Sequence, residues 1–175
     1  MRIYEGGARQ DFEEVFRAMG AVLDERAYRE ILLTEVPDGY LVQGLRASGA
    51  NSTNWADLSV AFHKETVTFS DDEIARYMEE AVARRGRTRL KVDNPGAHYY
   101  EWALRVIGRY LDEQHPRDVF FFEQDGSFVV RLLTSGRGAT PHTLVEFTRE
   151  DIAEMIGQGP GFRGRSSRLS TLLRR

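Results

Sequence analysis

Apolar side chains recur at helical spacing in two stretches of the chain, and each stretch leads into the same pattern of strands. From residue 12 and again from residue 100, apolar positions fall three or four residues apart, which places them on one side of a helix. Each helix is followed by two apolar, β-prone runs joined by Asp-Gly, a strong short-range signal for a β-hairpin. We therefore predict hairpins that pair 29–36 with 40–47 and 117–124 with 127–134.

The two stretches match one another in sequence. Residues 12–35 align with residues 100–123 without a gap, and eight of the 24 aligned positions are identical. We infer that the chain is a tandem duplication of one unit. The identical pairs are Glu13/Glu101, Arg17/Arg105, Gly20/Gly108, Leu23/Leu111, Asp24/Asp112, Glu25/Glu113, Arg29/Arg117 and Glu35/Glu123.

Each copy ends with a second helix that has a clear start signal. The stretch "VTFSDDEIARYM" at 67–78 matches "VEFTREDIAEMI" at 145–156. In both, a hydroxyl residue is followed three residues later by an acid, which is the pattern of a capping box at a helix N-terminus. The predicted capping boxes are formed by Ser70 with Glu73 and by Thr148 with Asp151.

The predicted fold class is α+β. Each copy is an αβββα-type unit, an antiparallel sheet with flanking helices mostly on one face. The two units are expected to pack as a pseudo-twofold internal pair. They divide the chain into a first repeat at 1–87, a second repeat at 88–162 and a basic C-terminal tail at 163–175. The first repeat holds a longer insert, in which one more strand is expected around 57–63.

The second copy is more apolar than a solvated repeat requires. Its strands, "VFFFE" and "SFVVRLL", are apolar on both alternating faces, so we expect neither face of that sheet to meet much water. Its first helix also gains a second apolar stripe. We interpret these features as an interface with the first copy or with a second chain, and a ligand cavity is the alternative. The predicted interface residues are Tyr99, Trp102, Val106 and Trp55.

Basic residues are concentrated in two short segments, although the net charge is −3. "RRGRTRL" at 84–90 and "FRGRSSRL" at 162–169 each follow a second helix, and arginine supplies 22 of the 24 basic residues. Guanidinium groups bind phosphate bidentately, which makes anion binding the alternative, but a GC-rich bacterial genome and contacts with the acidic body of the same chain are the favoured explanations of the bias. The candidate anion-binding residues are Arg85, Arg87, Arg89, Arg137, Arg163, Arg165 and Arg168.

Recognisable catalytic chemistry is missing from the sequence. The chain has no cysteine, and its four histidines do not have metal-ligand spacing. The repeated Leu-Asp-Glu at 23–25 and 111–113 is interpreted as part of a corner ion pair with Arg29 or Arg117, and an acid/base pair is the alternative. We predict no catalytic residue, no metal site and no cofactor, and leave open whether the chain is an enzyme.

No stretch has the length and apolarity of a membrane span, so we expect a soluble cytoplasmic protein.

These observations favour a binding function over a catalytic one. We expect a non-enzymatic binding or adaptor protein of tandem-repeat architecture that acts through protein–protein contacts and self-associates, with a homodimer as the expected form. The alternative is binding of nucleic acid or a phosphate ligand through the arginine-rich segments. The negative charge of the remaining chain disfavours a polyanion as partner, because it would repel phosphate groups beyond those segments.

Overall fold

The computed structural model describes residues 12–47, 62–85, 99–133 and 142–158. In these ranges the chain forms four helices and six strands, and α+β is therefore the fold class. In chain order the elements are α1 (Phe12–Glu25), β1 (Arg29–Val36), β2 (Gly39–Ala47), β3 (Phe62–Ser70), α2 (Asp71–Arg85), α3 (Tyr99–Gln114), β4 (Val119–Gln124), β5 (Ser127–Leu133), β6 (His142–Phe147) and α4 (Arg149–Gln158).

All six strands belong to one antiparallel sheet in the order β3-β2-β1-β4-β5-β6. Both hairpins predicted at Asp-Gly are present, and β1 and β4 then pair along the middle of the sheet, where Leu33 lies opposite Phe121. We expected a sheet in each unit, and the structure joins the two into one. The observed β3 is Phe62–Ser70, with Val67 and Phe69 turned inward to the core. The strand expected around 57–63 falls mostly on residues 57–61, which lie outside the described ranges, and it stays a prediction.

The core lies between the helices and one face of this sheet. Both long helices, α1 and α3, place their apolar stripes on it, and α2 and α4 add a few side chains at the two ends. Each large apolar side chain buried here contributes about 1.5–3 kcal/mol to folding. The largest fully buried side chains include Phe16 and Met19 of α1, Ile107 and Leu111 of α3, and Phe69, Phe121 and Phe128 of the strands.

The helices α1 and α3 cross at the closest approach that two backbones allow. A β-carbon added to Gly20 would lie 2.3 Å from the carbonyl oxygen of Tyr100, and one added to Gly108 would lie 2.4 Å from that of Phe12. Both distances are far below van der Waals contact, and the obstructing atoms are backbone. Only glycine fits at these two positions of the crossing.

Each of these helices also caps the other. The carboxylate of Asp112, near the end of α3, accepts hydrogen bonds from the backbone N–H groups of Phe12 (2.8 Å) and Glu13 (3.0 Å). The carboxylate of Asp24, near the end of α1, accepts them from Tyr100 (2.9 Å) and Glu101 (2.8 Å). A negative group at a helix N-terminus satisfies free N–H groups and complements the helix dipole.

The crossing is completed by ion pairs of the same reciprocal kind. Arg17 Nε lies 3.1 Å from Glu101 Oε1, and Arg105 Nε lies 2.9 Å from Glu13 Oε1, which also accepts a bond from Arg109. Burial alone would raise the pKa of Glu13, but the hydrogen bonds from Arg109 and Arg105 outweigh burial and hold this pKa below its usual value. The pairs that Glu13 forms with Arg105 and Arg109 are therefore ionised contacts at the edge of the core.

The short helices begin as the sequence predicts. The Ser70 N–H donates to the Glu73 carboxylate at 3.0 Å, and the Glu73 N–H donates back to Ser70 Oγ at 3.3 Å. The same reciprocal bonds join Thr148 and Asp151 at 2.9 and 3.2 Å. Both capping boxes are confirmed. None of the helices in the described ranges has the length and apolarity needed to cross a membrane.

A glycine-to-alanine series tests the helix crossing. We expect Gly20→Ala and Gly108→Ala each to lower the free energy of unfolding by about 1–3 kcal/mol, because the added methyl group forces the two backbones apart. This loss should appear although alanine has the better helix propensity by about 1 kcal/mol. Urea denaturation measures the free energy of unfolding of each variant.

Gly157→Ala is the matched control for this series. It makes the same substitution in α4, where an added β-carbon meets no atom within 4 Å, so stability should stay constant or rise slightly. A Gly20→Ala protein as stable as the Gly157→Ala protein would contradict the close crossing.

Candidate functional site

The two faces of the sheet differ in what packs against them. The face toward the helices supplies the core, whereas apolar side chains on the opposite face belong neither to the core cluster nor to the partly buried residues around it. No described helix covers this second face. We call it the helix-free face, and its apolar residues include Leu32, Leu41, Leu45, Phe120, Phe122, Val129 and Leu144.

The central side chains form an apolar strip over β1, β4 and β5 because the strand register aligns them. Leu32 lies opposite Phe122, which in turn lies opposite Val129 on the next strand. In the adjacent row Thr34 lies between Leu41 and Phe120. Four neighbouring strands, β2, β1, β4 and β5, therefore present apolar side chains at the centre of the helix-free face.

An arginine packs against one ring of the strip, and two exposed apolar residues lie beyond the strip on the outer strands. The Arg131 guanidinium lies 4.9 Å from the centre of the Phe120 ring and forms a 3.0 Å ion pair with Asp118. The Phe120 and Phe122 rings are 6.3 Å apart. Toward the two outer strands, Phe62 and Leu144 each keep 49% of their surface exposed, so the apolar surface extends to the sheet edges.

The predicted interface residues of α3 lie on the other side of the molecule and contact this chain itself. Val106 is buried in the core. The Tyr99 hydroxyl donates to the Gly126 carbonyl oxygen at 3.3 Å. The half-buried ring of Trp102 lies 5.7 Å from the Arg17 guanidinium and 5.6 Å from that of Arg105. Trp55 lies outside the described residues. A role for these four residues in contact with another chain stays a prediction.

The candidate anion-binding residues fall almost entirely outside the described part of the chain. Arg85 is the last residue of α2, and nothing further is described of its side chain. Arg87, Arg89, Arg137, Arg163, Arg165 and Arg168 lie outside the described ranges. Anion binding through these arginines therefore stays a prediction.

The aspartates of the repeated Leu-Asp-Glu have a role that the sequence analysis missed. They cap the helix of the other half, as described above, and this role has no local sequence signal because the N–H groups that they bind lie 76 to 100 residues away. Within the described residues, no group of three or more potential ligand side chains is placed to hold a metal ion.

One half-buried acid, Glu123, joins three elements below the helices. The Glu123 carboxylate on β4 accepts a 2.5 Å hydrogen bond from the Tyr100 hydroxyl of α3 and a 3.3 Å bond from the Ile31 N–H of β1. The neighbouring Glu30 has a positive φ of 48°, at a point where the β1–β2 register shifts. Glu123 therefore satisfies a backbone N–H that this irregularity releases from the strand ladder.

Burial dominates the titration of this cluster. It raises the pKa of Glu123, with a smaller contribution from the nearby Glu30, while hydrogen bonds from Tyr100 and Ile31 act in the opposite direction. Burial and the negative charge of Glu123 also raise the pKa of Tyr99 to about 12 and that of Tyr100 further. The cluster fixes α3 to the centre of the sheet, and so supports the helix-free face from beneath.

Comparisons with protein-family models, with curated proteins and with solved structures find no match for this chain.

The pH dependence of stability tests the environment of Glu123. A carboxyl group whose folded pKa is raised contributes stability below its unfolded pKa, and this contribution is lost as the pH rises through the folded pKa. We therefore expect the stability of the native chain relative to Glu123→Gln to fall as the pH rises from about 4 toward neutrality. Denaturant titrations at a series of pH values measure this difference.

Glu79→Gln provides the matched control, since it makes the same substitution on the exposed surface of α2 and removes one negative charge equally. If the native chain instead became more stable relative to Glu123→Gln as the pH rose, this result would contradict a raised pKa at Glu123.

Proposed function

We propose that this chain is a non-enzymatic binding protein that acts through protein–protein contacts, and that the helix-free face is its binding surface. The observation that carries the proposal is the apolar strip over the three neighbouring strands β1, β4 and β5, with Phe122 at its centre and Phe120 beside it. Burial of a large apolar side chain is worth about 1.5–3 kcal/mol. Contiguous apolar patches on a protein surface are typical of interaction sites.

The composition of the helix-free face also favours a protein partner. Aromatic residues and arginine are enriched in protein–protein interfaces, and Phe120 here lies beside Arg131. The charged Lys64 and Glu146 lie on the outer strands β3 and β6, and the polar Gln43 lies further in, on β2. An apolar centre with a polar rim is the common arrangement of a specific interface.

The duplicated architecture belongs to the same proposal. We infer that an αβββα unit was duplicated in tandem and that the two copies form a pseudo-twofold pair. Support comes from the reciprocal contacts of α1 and α3, in which the aspartate cap, one Arg–Glu pair and the glycine contact of each helix have a counterpart in the other. In this interpretation the duplication joined two small sheets and so doubled the surface available to a partner. The contacting residues that are identical in the two copies are Glu13/Glu101, Arg17/Arg105, Gly20/Gly108 and Asp24/Asp112.

Site-specific photo-crosslinking in cells that naturally produce the chain tests the binding surface. A photoreactive phenylalanine analogue at Phe122 should give a discrete covalent adduct heavier than the 20.0 kDa chain, because a bound partner lies directly over this ring. Gel electrophoresis and mass spectrometry of the adduct measure the result.

The same analogue at Tyr77 is the matched control. Tyr77 is a half-buried aromatic residue of α2 on the helical side of the molecule, so no adduct is expected there. Absence of an adduct at Phe122, or an intramolecular crosslink in a species that keeps the 20.0 kDa mass of one chain, would contradict the proposal.

A further inference from the structure

We infer that the partner of the helix-free face is a second copy of this chain, packed sheet against sheet about a twofold axis that runs along the strands. This inference rests on the proposed function and names its partner. It is carried by the size of the helix-free face and by the distribution of charge across it.

The area of the face is sufficient for a dimer. Strands lie about 4.8 Å apart and rise about 3.3 Å per residue, so six strands of six to nine residues present roughly 700 Å² in projection. Two such faces would bury about 1,400 Å² in total, which lies within the usual range for a specific interface. A twisted sheet is also a good match for another sheet of the same twist, and such pairs pack about 10 Å apart with nearly aligned strands.

The charge of the face differs between its two ends. On the outer strand β3, Lys64 points to the helix-free face, and the nearby Arg29 lies 5.8 Å from the ring of Phe62. On the opposite outer strand β6, Glu146 points to the same face, opposite Val129. Between these ends the charged side chains Arg131 and Asp118 form a pair and neutralise one another. The helix-free face is therefore positive at the β3 end and negative at the β6 end.

A twofold axis along the strands makes this arrangement self-complementary. Such an axis places β3 of one protomer over β6 of the other, because it reverses the strand order across the sheet. Lys64 then faces Glu146 of the partner subunit, and the same contact occurs at the other end. Along the strand Lys64 is offset from the Glu146 row by one same-face residue, about 7 Å, which the flexible four-carbon stem of lysine can span.

An axis perpendicular to the strands would give the opposite result. It would place β3 over β3 and β6 over β6, so that Lys64 would face a lysine and Glu146 a glutamate. Like charges facing one another disfavour association. The charge pattern therefore selects the axis along the strands.

Sedimentation of the purified chain with charge-reversal variants tests this dimer. We expect the native chain to dimerise at micromolar concentration and low salt. Lys64→Glu alone and Glu146→Lys alone should each raise the dissociation constant about tenfold, because every reversal affects both symmetric contacts. The double variant Lys64→Glu/Glu146→Lys should return the dissociation constant to near its native value, since it restores both pairs with the signs exchanged.

Two further variants provide the controls. Glu79→Lys makes the same charge change as Glu146→Lys on the helical side and should leave the dissociation constant unchanged. Phe122→Ser removes the central ring of the face and should abolish dimerisation, while circular dichroism confirms that the variant is folded.

The possible outcomes separate this inference from the proposed function. A native chain that stays monomeric overturns the second copy as partner, and an adduct with a different protein at Phe122 would still support the proposed binding surface. A dimer that survives Phe122→Ser overturns the inference, and absence of a crosslink at Phe122 would then overturn the proposed function as well. A dimer that is lost in Phe122→Ser but is insensitive to either reversal overturns the axis.

Discussion

At the crossing of α1 and α3 two glycines let the helix backbones touch, and each helix end supplies the carboxylate that caps the start of the other. The two strands that follow these helices, β1 and β4, pair beneath the crossing. The distance between the helices and the pairing of the strands therefore depend on one another. A larger residue at Gly20 would separate the helices, and the separation would act on the central strand pair through the shared core.

This geometry explains how a small chain comes to present a wide surface. A three-stranded sheet with two helices has one narrow open side, and joining β1 to β4 turns two narrow sides into one six-stranded side. The helices of both halves lie on the same face of the sheet. The reason is that the core-facing residues of β1 and β4 lie opposite one another where the two strands pair, as Leu33 and Phe121 do. The half-buried Glu123 holds this joint from the core side, so the order of the helix-free face depends on groups that lie behind it.

Local features of the structure could be predicted from the sequence, and distant pairings could not. The amphipathic helices, both Asp-Gly hairpins and both capping boxes follow from residues within a few positions of one another. The apolar character of both faces of β4 and β5 was also visible as unbroken runs. The pairing of β1 with β4 could not be predicted, because backbone hydrogen bonds can join almost any two apolar strands and leave no specific signal in the sequence. The capping role of Asp24 and Asp112 was missed for the related reason that backbone N–H groups, which every non-proline residue carries, are their partners.

The reciprocal caps also have a consequence for the order in which the chain folds. During synthesis α1 emerges long before Asp112, which lies 100 residues beyond the Phe12 N–H that it binds. The first half therefore waits for most of the second before its leading helix has its final partners. Contacts this distant in sequence slow folding, since a long loop must close before they form. We therefore expect the crossing of α1 and α3 to make the two halves fold as a single cooperative unit.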